Sequence, residues 1–81
     1  MNKSKEDFRK LVGSTLAGLR KVSGQTQEQL AETVGFEPNY ISEIERGLKL
    51  PALDSFFRLI EALHQEPHIV VREIQDRLGR S

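Results

Sequence analysis

His64 and His68 stand four residues apart, with Glu61 and Glu66 beside them, a spacing that could hold a divalent metal on one helical face. Pro67 lies between the two histidines and breaks the face that the spacing needs, and the sequence has no cysteine to complete a ligand set. No metal site and no cofactor are therefore expected. A nucleophile with a neighbouring base, a glycine-rich phosphate loop and a pair of pocketed carboxylates are all missing from the sequence, which argues against an enzyme. The remaining polar chemistry is concentrated between Thr26 and Gly47. There Thr26, Gln27, Asn39, Tyr40, Ser42, Glu43, Glu45 and Arg46 are interleaved with apolar residues at helical spacing.

Two short helices must carry these side chains. Thr26 is a good N-cap, and Gln29 three residues later completes a capping-box pattern. Leu30, Ala31 and Val34 make one apolar stripe, and Gly35 follows where a helix ends in a left-handed residue. Pro38 suits a first helical position, where its missing N–H costs nothing. Ile41 and Ile44 form the inner face of the second helix, and Gly47 stops it. Two short helices joined by a tight turn form a helix-turn-helix, the unit that lays its second helix in a DNA major groove.

The stretch resembles the lambda-repressor/Cro-like (XRE-type) family of DNA-binding proteins. Gln27, Leu30-Ala31, Gly35, Tyr40-Ile41-Ser42 and Ile44-Glu45-Arg46-Gly47 fall at that family's spacing. The match continues through Pro51 and Leu59…Ala62-Leu63, covering roughly residues 16–64 without a gap. The size and the Tyr-Ile-Ser-x-Ile-Glu-Arg run are also similar to restriction–modification controller proteins.

The resemblance implies roles for the polar residues. It puts Glu37, Pro38, Asn39 and Glu43 where the family reads base edges. Asn39 can bond adenine N6 and N7 together, Glu43 can accept from cytosine N4, and Pro38 can at most touch a thymine methyl. Ser42, one turn from Asn39, could reach a base or a phosphate. The competing reading for Asn39 and Ser42 is plain exposure, and for Glu37 and Glu43 it is repulsion by phosphates. The family's glutamine at the position of Gln27 bonds a phosphate beside a helix N-terminus, where unpaired N–H groups favour anions. Thr26, Arg46, Lys49, Arg20 and Lys21 are the other phosphate candidates. Tyr40 offers a hydroxyl to a phosphate or packs over the turn. Arg20 and Glu45 match a family pair that forms a salt bridge between the first helix and the recognition helix.

Scaffold surrounds this unit. Ser4 with Asp7 caps a first helix, and Phe8, Leu11, Val12, Leu16, Leu19 and Val22 form its buried stripe, up to Ser23-Gly24. Gly13 and Gly18 each weaken it by up to about 1 kcal/mol relative to alanine; Gly18 marks either a close helix approach or simple tolerance. A fourth helix runs from about Leu53 to Leu63 with Phe56, Leu59, Ile60 and Leu63 inward. The family usually has Ser where this chain has Ala52, so Asp54 or Ser55 is expected to cap in its place, moving the start by a residue. Pro67 opens a fifth helix to about Leu78, with Gly79-Arg80-Ser81 expected to fray. The β-branched run Ile69-Val70-Val71 could suggest a strand, but Val70, Val71, Ile74 and Leu78 keep helical spacing. Ile69, Val70, Val71, Ile74 and Leu78 are more apolar surface than one face of so small a domain needs. They either pack on the first and fourth helices or form a partner surface. The resemblance favours the second, as a homodimer.

Charge bounds the reading. Twelve basic and twelve acidic residues cancel, but residues 1–26 carry a net +4 and residues 27–54 a net −4. An acidic recognition unit cannot hold a polyanion by a uniform field, so a few placed groups must do it. The sequence thus predicts an all-α fold, one five-helix domain over residues 1–81 with the helix-turn-helix at 26–47 and a dimerisation helix at 67–79. The resemblance implies a homodimeric repressor-type regulator on double-stranded operator DNA. A protein-interaction module, such as an antitoxin or adaptor, is the rival. No apolar run approaches 18 residues, the N-terminus lacks a signal peptide's apolar stretch, and cysteine is absent, so a cytoplasmic location is expected.

Overall fold

Ser4 starts the first helix as its sequence predicts: its Oγ accepts the Asp7 N–H at 3.0 Å. From there a computed structural model describes residues 4–80, with five helices and, among the described residues, no strand. They are α1 (Lys5–Ser23), α2 (Gln27–Val34), α3 (Pro38–Glu45), α4 (Leu53–Ala62) and α5 (Pro67–Arg80). Met1, Asn2, Lys3 and Ser81 lie outside the described residues, so the reading of the extreme N-terminus and of the final residue falls there.

Helix α1 packs against α3 and α5, α2 against α3 and α4, and α4 against α5. One cluster of Val12, Leu16, Leu30, Val34, Ile41, Ile44, Phe56, Leu59, Ile60, Leu63, Val70 and Ile74 fills the space between them. Val22 is a correction, being 86% exposed. It lies about 120° round the helix from Leu16, and the inward place in that last turn belongs to Arg20.

The close helix approach is at Gly13, whereas Gly18 faces open space. A Cβ at Gly13 would lie 2.1 Å from the Ile44 carbonyl oxygen and 2.8 Å from that of Glu45, so α1 and α3 touch backbone to backbone. Thr15, also buried on α1, donates to the Leu11 carbonyl and accepts from the Arg77 guanidinium, which binds Ser14 as well and ties α5 to α1.

Two further details differ from expectation. Helix α4 starts at Leu53 behind Ala52, which has no side chain to cap it; Asp54 accepts the Ser55 N–H at 2.8 Å from inside the first turn, so the start does not move. Helix α5 runs through Gly79 to Arg80, past the end expected at Leu78. Its apolar residues also divide. Val70 and Ile74, which the resemblance assigned to a partner surface, are 1% and 8% exposed and belong to this chain's own core. They are one turn apart on the inward line, while Ile69 and Val71 flank that line and are about half exposed; Leu78 is half-buried.

Candidate nucleic-acid interface

Helix α3 has two faces with different work. Ile41 and Ile44 are buried against α1 and α2, whereas Pro38, Asn39 and Arg46 are exposed and Ser42 and Glu43 half-exposed. Pro38 fills the first helical position, and the preceding Glu37 makes no capping bond. Helix α2 presents its N-terminus next to α3. The Thr26 hydroxyl accepts from the Gln29 N–H at 3.0 Å, and the Gln29 side chain accepts from the Thr26 N–H at 2.8 Å, closing the capping box. The first-turn N–H groups that this box does not use have no intrahelical acceptor and are the ones an anion can take.

Glu45 joins three parts of the chain. Arg20 Nε donates to its Oε2 at 2.7 Å and Nη2 to its Oε1 at 3.0 Å, a bidentate pair with side chains 11% and 8% exposed. Gln27 Nε2 donates to the same Oε1 at 2.9 Å, and Arg20 Nη1 donates to the Gln25 carbonyl at 2.8 Å. The hydrogen bond to Glu45 raises the Arg20 pKa above its ordinary value; burial opposes the shift, and the charges of Glu45 and Glu28 reinforce it. A raised guanidinium pKa gives stability that is complete below the unfolded value and lost only as pH rises through the folded one, far above neutrality. The Arg20 guanidinium thus stays charged throughout the neutral range. So deep a position leaves Arg20 little surface for DNA, and its second expected role, as a phosphate contact, does not fit. Gln27 keeps its Oε1 and one amide N–H beyond the bond to Glu45.

The outer face is tied to cations. Arg46 Nε donates to Ser42 Oγ at 3.3 Å, and Lys49 Nζ lies 3.3 Å from Glu43 Oε1. Tyr40 packs edge-on against Phe36, with ring centroids 5.4 Å apart, and so covers the turn while Lys49 sits 5.9 Å from its ring centre. Arg58 was missed by sequence reasoning. Its guanidinium lies 4.8 Å over the Phe36 ring and donates to the Val34 carbonyl, bracing the turn from α4. Nothing local in the sequence marks it, because the contact spans 24 residues. Gln25 was missed for the same reason; it bonds the Ala62 carbonyl at 3.2 Å, 37 residues away. His64 and His68 are exposed in the α4–α5 link and in α5, and no group of three or more His, Cys, Asp or Glu among the described residues could hold a metal.

A helix-turn-helix domain profile matches residues 11–69, most of the chain and all of α2 and α3. The chain belongs to the helix-turn-helix transcriptional regulators. The regulator is 44% identical over 57 residues to an uncharacterized HTH-type transcriptional regulator, y4dJ, of Sinorhizobium fredii, covering 70% of this chain and 74% of that one. Its fold is similar to that of the clp gene regulator ClgR from Corynebacterium glutamicum, with a TM-score of 0.82, 29% identity, and 89% and 77% of the two chains covered. It is also similar to the restriction–modification controller protein C.AhdI from Aeromonas hydrophila, with a TM-score of 0.73, 32% identity, and 76% and 94% covered. These relatives are named as regulators and controllers of transcription or restriction–modification, and the lambda-repressor-like, all-α class expected from the sequence is the one found. Among its described residues, no helix of this regulator is long and apolar enough to cross a membrane.

Proposed function

We propose that this regulator is a single domain that binds double-stranded operator DNA sequence-specifically as a homodimer and represses by occluding the promoter, in the cytoplasm. The observation that carries the reading is the Glu45 hub. It fixes α1, the N-terminus of α2 and the recognition helix α3 in one frame, with Asn39, Ser42 and Glu43 left on the outer face. Asn39, Ser42 and Glu43 would read base edges, with Pro38 against a thymine methyl. Thr26, Gln27, Arg46 and the Tyr40 hydroxyl would meet phosphates. The dimer would form through Ile69 and Val71 beside an apolar groove of about 290 Å³ bordered by Leu50, Leu53 and Phe8. The same helix carries Arg72, Glu73 and Asp76 outward, so a twofold copy could pair the two signs across the rim. Two recognition helices would then be spaced by about 34 Å, one turn of B-DNA.

The test sets Gln27→Ala against Asn39→Ala on the operator selected from random duplex DNA, on its single-base changes and at two salt concentrations. Gln27→Ala should weaken all sequences by similar factors. Asn39→Ala should cost roughly 1–3 kcal/mol on the preferred site and relax selection at one base pair. If the loss for Asn39→Ala is equal on every sequence, Asn39 only positions the helix. The net −4 charge of residues 27–54 favours a second reading, a protein-interaction module. That module would show no steep salt slope with any duplex.

A further inference from the structure

Glu43 is the awkward member of the reading face, because a bare carboxylate approaching a polyanion is repelled whatever base it meets. The structure supplies a counter-charge from outside the helix. Gly47, at a φ of +79°, turns the chain back, and the Leu48 N–H donates to the Glu43 carbonyl at 2.9 Å. That turn brings Lys49 over the outer face of α3, where Nζ sits 3.3 Å from Glu43 Oε1 and 5.9 Å from the Tyr40 ring centre. The Glu43 side chain is 26% exposed and that of Lys49 56%, so the carboxylate is the more covered partner.

We propose that Lys49 is a positioning residue for base selection: it holds Glu43 as a charge-neutral pair whose free oxygen, Oε2, accepts from an amino group on a base edge, cytosine N4 first. This rests on the DNA-binding reading and goes beyond it by moving Lys49 from the phosphate contacts to the specificity machinery. A carboxylate is acceptor-only, so at that position it favours an amino edge and disfavours guanine O6 or thymine O4. Paired with Lys49, it brings no net charge toward the phosphates, and the ammonium, itself 5.9 Å from the Tyr40 ring centre, orients it.

The two roles for Lys49 predict different patterns. A phosphate contact is lost equally on every sequence, and its loss lowers the salt slope by about one. Loss of a positioning residue changes selection at one base pair, beside the uniform repulsion of the carboxylate it leaves bare. The experiment measures Lys49→Ala, Lys49→Arg, Glu43→Ala and the Glu43→Ala/Lys49→Ala double variant, on the selected operator and each single-base change in a half-site, at two salt concentrations. Lys49→Ala should relax selection about tenfold at the base pair that Glu43→Ala also relaxes, on top of a uniform weakening by the bare Glu43 carboxylate that the double variant removes. The double variant should relax it no further, and Lys49→Arg should restore it. Uniform weakening with no change of selection, kept in the double variant relative to Glu43→Ala, overturns the proposal and returns Lys49 to the phosphates. So does a change of selection in Lys49→Ala at a base pair that Glu43→Ala leaves alone. Absence of salt-dependent binding to any duplex by the unaltered protein overturns the DNA reading itself, and the pairing proposal with it. Melting curves of all four variants should stay near that of the parent, because an exposed ion pair adds little stability.

Discussion

Gly13 and Gly18 lie on the same helix, and the same substitution should act on them with opposite signs. Alanine in place of glycine in a helix interior gains roughly 0.8–1 kcal/mol from backbone entropy. At Gly18 nothing lies within 4 Å of the new Cβ, so Gly18→Ala should keep most of that gain. At Gly13 the Cβ would meet the Ile44 oxygen at 2.1 Å, the Glu45 oxygen at 2.8 Å and the Glu45 carbonyl carbon at 3.0 Å. All three are backbone atoms, and none can swing away. Relief requires α1 and α3 to part by more than about 1 Å, since carbon contacts settle near 3.5–4.0 Å. Overpacking of this kind costs about 1–3 kcal/mol. Parting the helices also stretches the Arg20–Glu45 pair, which bridges the same two elements, so a net loss of about 2–3 kcal/mol is expected. For a domain of this size each kcal/mol moves Tm by roughly 4–8 °C. Gly13→Ala should therefore melt about 10–20 °C below the parent and Gly18→Ala a few degrees above it, by circular dichroism at 222 nm. Gly13→Ala melting at or above the parent would refute the backbone contact between α1 and α3.

Three more outcomes are expected. Glu45→Gln should lower stability by about 1–3 kcal/mol and weaken DNA binding with it, since the part-buried Arg20 keeps only a neutral acceptor; unchanged melting with altered base preference would make Glu45 a reader. Ile69→Asp with Val71→Asp should give a monomer by light scattering without unfolding, whereas Ile74→Glu, at a position 8% exposed, should unfold the chain; a dimer that survives the double change sinks the α5 interface. His64→Gly should raise stability by about 0.5–1 kcal/mol, because His64 holds a φ of +60° that costs a side-chain-bearing residue energy; a denaturant midpoint that does not move would contradict it.

The element boundaries were legible because local chemistry sets them: Ser4 and Thr26 cap, Gly35 ends α2, Pro38 and Pro67 open α3 and α5. Periodicity also placed the inner faces of α2, α3 and α4. It failed where a residue's fate depends on a distant partner. Val22 continues the spacing of α1 but has no neighbour to meet, because a charged side chain takes the inward place. Gly13 and Gly18 are alike in sequence, and only the path of α3 separates them. Val70 and Ile69 are adjacent β-branched residues, yet one is core and the other surface. In the candidate interface, the resemblance indicated that Arg20 and Glu45 should meet, and they do at 2.7 Å. Arg58, braced on the turn from α4, left no trace at short range.

The division of α3 into two faces also bears on how such regulators diversify. Ile41, Ile44 and Glu45 carry its connections to the rest of the chain, and none of them is a proposed reader. Asn39, Ser42 and Glu43 are the proposed readers, and their bonds stay within α3 and the loop just after it. Drift at 39, 42, 43 and 49 would therefore retarget a copy of the gene without first destabilising its product. A library randomised at those four positions should yield mostly folded members that differ in the duplex they choose, whereas one randomised at 41, 44 and 45 should yield mostly unfolded ones.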